Sequence, residues 1–269
     1  MSSKIQIKLT GVPETLLIST RARYLESKRT NGIIHDPKTV EIMDAIEYDF
    51  SGDREVSKGS QVGTAIRTEI LDEQTLVFLK KYPECVVVNL GCGLDTRFYR
   101  LDNGLIHWYD LDVPETINVR RSFFRESDRY HLISKSVLDF SWLKDIPNHK
   151  PTLIIAEGLL MYFEEYEVRA ILKQIGKRFL QCEMLIEGMS PFIAKNSDKH
   201  ADVKKYAATF KWGIKTGKEI DRWNIGLIFV AEFYYFDRHR SRVPFYLRWL
   251  CQIPAFRKMM KIIHLSTNY

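Results

Sequence analysis

A chain of 269 residues that is 45% hydrophobic and 28% charged can bury a sizeable core as one α/β domain, and it has no apolar run near the ~18 residues of a membrane span. Its formal net charge of +6 is matched by the stretch Asp237 to Tyr269 alone, seven Lys/Arg against one acid, so a general nucleic-acid-binding surface is excluded. Cys85, Cys92, Cys182 and Cys251 share no paired spacing, which argues against a disulfide framework or a zinc site, and the opening Met1 to Lys8 has no apolar signal-peptide core, so a cytoplasmic location is expected.

Down to about Lys81 the pattern predicts helices rather than sheet. Asp36-Pro37 reads as a helix start, an N-cap acid followed by proline at the first helical position, with Val40, Ile42, Met43 and Ile46 on helical spacing. Ser51-Gly52-Asp53 and Ser57-Lys58-Gly59-Ser60 are loop. The next helix carries Ile66, Ile70 and Leu71 on one face, with Arg67 beside it.

Val86-Val87-Val88-Asn89-Leu90 is a short buried strand, and Gly91-Cys92-Gly93 breaks it into a tight turn before a helix. Glycines there allow positive φ and let the backbone approach a ligand at the carboxyl end of a central parallel strand. A second strand, Leu105 to Asp110, ends in an acid 19 residues after Gly91, placed to accept both hydroxyls of a ribose. A dinucleotide fingerprint needs glycine where this chain has Thr96, and no phosphate-loop Lys-Ser/Thr follows. A nucleoside without a pyrophosphate remains, and S-adenosyl-L-methionine is the common one.

Arg129 to Ser134 reads as the third strand, with Asp139 capping Phe140-Ser141-Trp142-Leu143. The fourth, Thr152 to Ala156, ends at Glu157-Gly158. An unpaired buried carboxylate is costly, so Glu157 needs a positive partner, either the ammonium and sulfonium of a cofactor or Arg97. Glu164 to Leu180 is an amphipathic helix with Val168, Ile171, Leu172 and Ile175 inward, and Met184 to Met189 is the fifth strand. Ser190 to Trp223 mixes lysines and aromatics (Phe192, Tyr206, Phe210, Trp212) with glycines, as an inserted lid does. Asn224 to Phe236 is a sixth strand, Pro244 to Met259 is helical in pattern despite Pro254, and Lys261 to Leu265 is the last strand.

Three blocks carry a family resemblance. Asn89-Leu90-Gly91-Cys92-Gly93-Leu94-Asp95-Thr96-Arg97, Tyr109-Asp110-Leu111-Asp112-Val113-Pro114 and Ala156-Glu157-Gly158-Leu159-Leu160-Met161-Tyr162-Phe163 resemble the signatures of the leucine carboxyl methyltransferase family, which includes bacterial O-methyltransferases similar to the tetracenomycin polyketide type. The likeness runs from about Ala22 to Met189. It implies a class I fold: a doubly wound, seven-stranded, largely parallel sheet with an antiparallel last strand. Within it, residues 1–81 form a helical cap, 82–189 a cofactor-binding core, 190–223 the lid and 224–269 C-terminal strands and a basic helix. By the same resemblance Arg67, in Arg67-Thr68-Glu69-Ile70-Leu71-Asp72, holds the cofactor carboxylate, which a guanidinium fork suits. Glu157 contacts the cofactor, Glu26-Ser27-Lys28-Arg29 caps it with Lys28 as a second carboxylate contact, and Ser136 with the backbone of Val137 meets the adenine edge. Ser136 departs from the acid that the wider fold often carries there.

The implied reaction is methyl transfer to an oxygen, in which the protein mainly positions its reactants. No metal is expected. Tyr162 is the candidate for orienting the acceptor, a small or carrier-bound, polyketide-like molecule. Of the seven histidines only His200, in the lid, is free to serve as a base, which favours a carboxylate or acidic hydroxyl as acceptor. The basic C-terminal segment reads either as a core-docked helix with snorkelling cations or as a docking face for an acidic carrier protein or anionic surface. The rival readings are a nicotinamide-dependent oxidoreductase and a non-catalytic cofactor-binding module.

Overall fold

A computed structural model describes residues 4–7, 9–51, 55–196, 209–243 and 245–267. The N-terminal region is helical, with α1 (Leu16–Ser27), α2 (Pro37–Ala45) and the long α3 (Lys58–Lys81). One feature there was not predicted: β1 (Ile5–Gln6) and β2 (Ile46–Glu47) pair in parallel, too short to leave a periodic trace in the sequence. Asp36 caps α2 as expected, accepting from Thr39 N at 3.0 Å. Ser57 caps α3 through Ser60 N.

Beyond α3 the described chain builds a seven-stranded sheet from β3 (Val86–Leu90), β4 (His107–Asp112), β5 (Tyr130–Ser134), β6 (Thr152–Ala156), β7 (Cys182–Met189), β8 (Leu227–Tyr234) and β9 (Met260–Thr267). Their order is β5-β4-β3-β6-β7-β9-β8; the first five strands run parallel, and β9 is antiparallel to both neighbours. The doubly wound sheet with an antiparallel last strand is therefore present. Alternate residues of its buried strands feed opposite layers. Val87, Leu153 and Leu185 pack with Leu17, Ile66, Ile70 and Phe78 of α1 and α3. Val88, Ile154 and Ile186 pack with Val168, Ile171 and Ile175 of α6 (Glu165–Arg178). The connections α4 (Arg97–Leu101) and α5 (Pro114–Arg120) are short.

Three expectations need correcting. The second strand begins two residues later than predicted, because Asn103 Oδ1 accepts from the amides of Leu105 and Ile106 and holds them in a turn. Asp110 is consequently inside the strand, and Asp112 is its last residue. The stretch 190–223 is only partly a cover: after α7 (Pro191–Lys195), Trp212, Ile214 and Ile220 are buried in the core, while Phe210 faces the cleft. His200 and Tyr206 lie outside the described residues. Finally, the C-terminal helix is broken into α8 (Phe245–Arg248), a 3-10 turn Leu250–Gln252 and α9 (Pro254–Arg257), since Pro254 has no amide to continue a helix and instead starts a new one. That segment is not core-docked, for Phe245 and Trp249 are 73% and 68% exposed.

Candidate active site

The carboxyl ends of β3, β4, β6 and β7 open into a cavity of about 710 Å³, walled on its other sides by α1, α3 and the segment after β8. This is where an open parallel sheet holds its ligands, at the point where strand order reverses between β3 and β6. Gly91 and Gly93 line it at φ +63° and +49°, and a Cβ on Gly91 would stand 2.7 Å from Leu159 Cδ1. Glycine is thus required at 91 by both conformation and space.

Asp110 and Asp112 have separate fates. The Asp110 carboxylate is fully buried, accepting from Asn89 Nδ2 (3.0 Å), Trp108 Nε1 (2.9 Å), the Tyr130 hydroxyl (2.5 Å) and the buried Arg120 guanidinium. It does not line the cavity, so it is a structural acid and not the ribose acceptor expected of it. Asp112, two residues on, lines the cavity and accepts from Gly93 N and its own neighbour Val113 N, both at 2.8 Å. Burial raises the Asp112 carboxyl above the usual range in spite of those two amides.

Glu157 follows β6, and Glu187 lies in β7 one step past the paired residues Ala156 and Ile186, so the two carboxylates are neighbours. Like charges so placed need a cation between them. Arg67 of α3 supplies it, with Nη2 2.7 Å from Glu157 and Nη1 2.8 Å from Glu187. Glu157 also accepts from Arg97 Nη2 at 2.7 Å, so the ion pair weighed as an alternative exists. Burial opposes both charges, but each is overcome: Arg67 and Arg97 hold the Glu157 carboxyl well below the usual range, and Glu157 and Glu187 hold the Arg67 guanidinium above its own. Arg67 is no loosely solvated helix charge, since its side chain is 14% exposed. Its Nε is buried and has no hydrogen-bond partner.

The remaining expected residues divide. Tyr162 lines the cavity, its ring 5.5 Å from that of Phe210 and its hydroxyl 3.4 Å from Thr15 Oγ1, and burial raises its pKa. Ser136 and Val137 follow β5 beside Asp112, whose carbonyl takes the Lys135 amide, but they are outside the cavity wall; the Ser136 hydroxyl accepts from Leu138 N and the Val137 carbonyl from Trp142 Nε1. Lys28 is not at the cavity. It lies at the end of α1, 3.8 Å from Asp44 and over the Tyr24 ring, because the helix turns that position outward. The α1 cation that does reach the wall is Arg23, five residues earlier, buried and donating to Leu94 O at 3.0 Å.

Glu187, Tyr235 and Arg23 were missed. Glu187 was legible: Ile186-Glu187-Gly188 repeats, on the next strand, the pattern of Ala156-Glu157-Gly158. Tyr235, whose buried hydroxyl donates to Glu187 at 2.8 Å, has no such mark, because its role depends on β8 being laid beside β9.

Comparison with known proteins shows the family and the fold. The family model described as leucine carboxyl methyltransferase matches residues 16–176. The chain is 32% identical over 232 residues to the tetracenomycin polyketide synthesis O-methyltransferase TcmP of Streptomyces glaucescens, covering 86% of each. It is 31% identical to an S-adenosyl-L-methionine-dependent methyltransferase of Gibberella zeae, over 65% of this chain and 64% of that one. Among solved structures it is similar in fold to a DUF574 family protein from Streptomyces avermitilis, with a TM-score of 0.61 at 11% identity over 94% of this chain and 97% of that one. It is also similar to magnesium protoporphyrin IX methyltransferase from Synechocystis, solved with bound SAH, at a TM-score of 0.50 and 10% identity over 81% and 90% of the two chains.

Proposed function

Because the chain belongs to the leucine carboxyl methyltransferase family, we propose that its cavity holds S-adenosyl-L-methionine and directs the methyl group onto an oxygen of a largely apolar acceptor. The observation that carries this reading is the Arg67 guanidinium at the cavity wall, whose two Nη atoms each bind one glutamate and each keep a hydrogen over. A carboxylate such as that of the methionine moiety suits those remaining Nη hydrogens. Asp112, in place of Asp110, accepts from the ribose hydroxyls. Gly91 and Gly93 let the ligand lie against the backbone, and Ser136 and Val137, just outside the cavity wall, would meet an adenine that extends past Asp112. When bound, the cofactor supplies an electrophilic methyl carbon, which the acceptor oxygen takes as S-adenosylhomocysteine leaves with the electron pair of the broken bond.

The acceptor side of the cavity is walled by Met161, Tyr162, Met189, Ile193, Phe210 and Val243, which suits a flat apolar body. The polyketide name of the TcmP relative supports an acceptor of that kind. No histidine is among the described lining residues. Burial raises the hydroxyl pKa of both Tyr162 and Tyr235, so neither is a base near neutral pH, and the two glutamates are held by Arg67. A phenol of pKa ~10 needs ~4 kcal/mol of help at pH 7, whereas a carboxylate needs none. This supports a carboxylate or acidic hydroxyl oxygen as the acceptor atom, with Tyr162 orienting it.

Calorimetry is expected to show binding of S-adenosylmethionine and S-adenosylhomocysteine and none of NAD. Labelled cofactor should modify aromatic acids at a rate nearly flat from about pH 6 to 8. A single-turnover rate that climbs tenfold per pH unit would instead indicate a base-assisted phenol acceptor. Binding of NAD in preference would overturn the cofactor assignment.

Acid should separate binding from folding. Asp112, raised by burial, takes up its proton above the ordinary carboxylate range, and a protonated acid no longer accepts from both hydroxyls. Asp36 and Glu157 are lowered, so the stability they give is present above the unfolded values of about 4 and is lost only as pH falls through their depressed ones. Cofactor affinity is expected to decline at a pH where thermal stability is still unchanged. Coincident losses of the two, measured by calorimetry and thermal unfolding, would count against Asp112.

A further inference from the structure

We propose that the face presented by the segment from α8 to α9 docks on an anionic membrane surface, with the mouth of the cavity turned toward the lipid. Phe245 and Trp249 stand four residues apart, and Trp249 has helical backbone angles, so the two share a face, with Ile253 following beyond the 3-10 turn. They are 73%, 68% and 49% exposed, whereas Cys251, on the other side, is 1% exposed. A segment that hides its cysteine and shows water its Phe, Trp and Ile is amphipathic in the inverted sense.

The segment is anchored and not a loose tail. Arg248 donates to the carbonyls of Val243 (3.0 Å) and Ser241 (2.5 Å), Arg257 lies 3.2 Å from Asp237, and the Phe256 ring meets that of Phe236 at 4.9 Å. Phe236 and Val243 both line the cavity, so the segment is built onto its rim.

Charge selects the occupant. From Arg238 to Tyr269 there are seven Lys/Arg and no acid. Arg238 and Arg242 pair with acids of α3 and α1, Arg240 and Arg257 pair with Asp237, and Lys261 is buried, but Arg248 and Lys258 remain exposed on the segment itself. A second copy would bring the same cations face to face with nothing to neutralise them. Exposed Phe245 starts a helix only four residues long, and exposed Trp249 follows its end. Protruding Trp, Phe and Ile flanked by Arg and Lys match the boundary between acidic headgroups and acyl chains, where aromatic rings insert and cations meet phosphate.

The test uses the whole protein with vesicles of phosphatidylcholine alone or mixed with phosphatidylglycerol. Wild type should sediment with the mixed vesicles about tenfold or more tightly than with the neutral ones, and lose that preference at high salt. Trp249 emission should shift to the blue on binding, since Trp108, Trp142 and Trp212 are already buried. Phe245→Ser with Trp249→Ser, and separately Arg248→Glu with Lys258→Glu, should each weaken vesicle binding about tenfold while leaving S-adenosylmethionine affinity unchanged. Wild type that ignores anionic vesicles, or Ser variants that bind them as tightly as wild type, would overturn the proposal. So would a wild-type dimer that the Ser variants convert to monomer, which would assign the face to a second copy, or capture by an acidic protein without any affinity for vesicles.

Discussion

Asp110→Ala is expected to cost about 3–5 kcal/mol of folding stability, a fall in Tm on the order of 10 °C. The reason is the company Asp110 keeps: the substitution leaves the Arg120 guanidinium, 1% exposed, without its carboxylate, and strips Asn89, Trp108 and Tyr130 of a shared acceptor. Asp112→Ala, two residues away on the same strand, is expected to do the reverse. It loses the amide contacts of Gly93 and Val113 and a hydroxyl contact of Thr116 at the cavity wall, and strands no buried charge, so the fold stays nearly as stable. Cofactor affinity should fall on the order of 10²- to 10⁴-fold, as two hydrogen bonds to a charged acceptor are removed at ~1.5–3 kcal/mol each. Thermal unfolding and calorimetry on the two variants decide it; an Asp112→Ala protein that binds normally would remove Asp112 from the ribose site.

Arg67 should show both effects at once. Its removal takes the cation from between two neighbouring carboxylates, at ~3–5 kcal/mol of stability, and takes the fork from the cofactor carboxylate, at ~1.5–3 kcal/mol or about 10- to 150-fold in affinity. Arg67→Lys separates these contributions. An ammonium restores the charge between Glu157 and Glu187 but has no planar fork. Most of the stability is therefore expected to return in the lysine variant and little of the binding. Equal recovery of both, by the same two measurements, would mean that Arg67 acts only as a structural cation.

Local pattern made much of this legible. The apolar runs of β3, β6 and β7 and the amphipathic α6 are buried where periodicity placed them, because strands covered on both faces and helices covered on one are written directly in residue type. Glycines 91 and 93 were readable for the same reason, as breaks in such a run. What escaped depended on register and on distant neighbours. A two-residue error at the start of β4 exchanged a cavity acid for a buried one, since Asp110 and Asp112 point to the same side of the strand and only Asn103 sets where pairing begins. Arg23 lies within α1 and Lys28 caps its end, and which of them faces the cavity is a matter of helix rotation against α3. Exposed Phe245 and Trp249 run against the rule that apolar residues face inward, so pattern left a core-docked helix and a docking face both open.

The place of β9 governs the order in which the molecule can be completed. It follows β8 in the chain yet lies between β7 and β8, forming the sole sheet contact of each with the other's side. While the chain is being synthesised, β7 therefore has β6 on one flank and an open row of amides and carbonyls on the other until Met260 and the residues after it emerge. Glu187 sits on that flank, opposite Ile262. The half of the nascent protein that already holds Gly91, Asp112 and Arg67 must wait, with an edge prone to pairing with other chains, for a closing strand made much later.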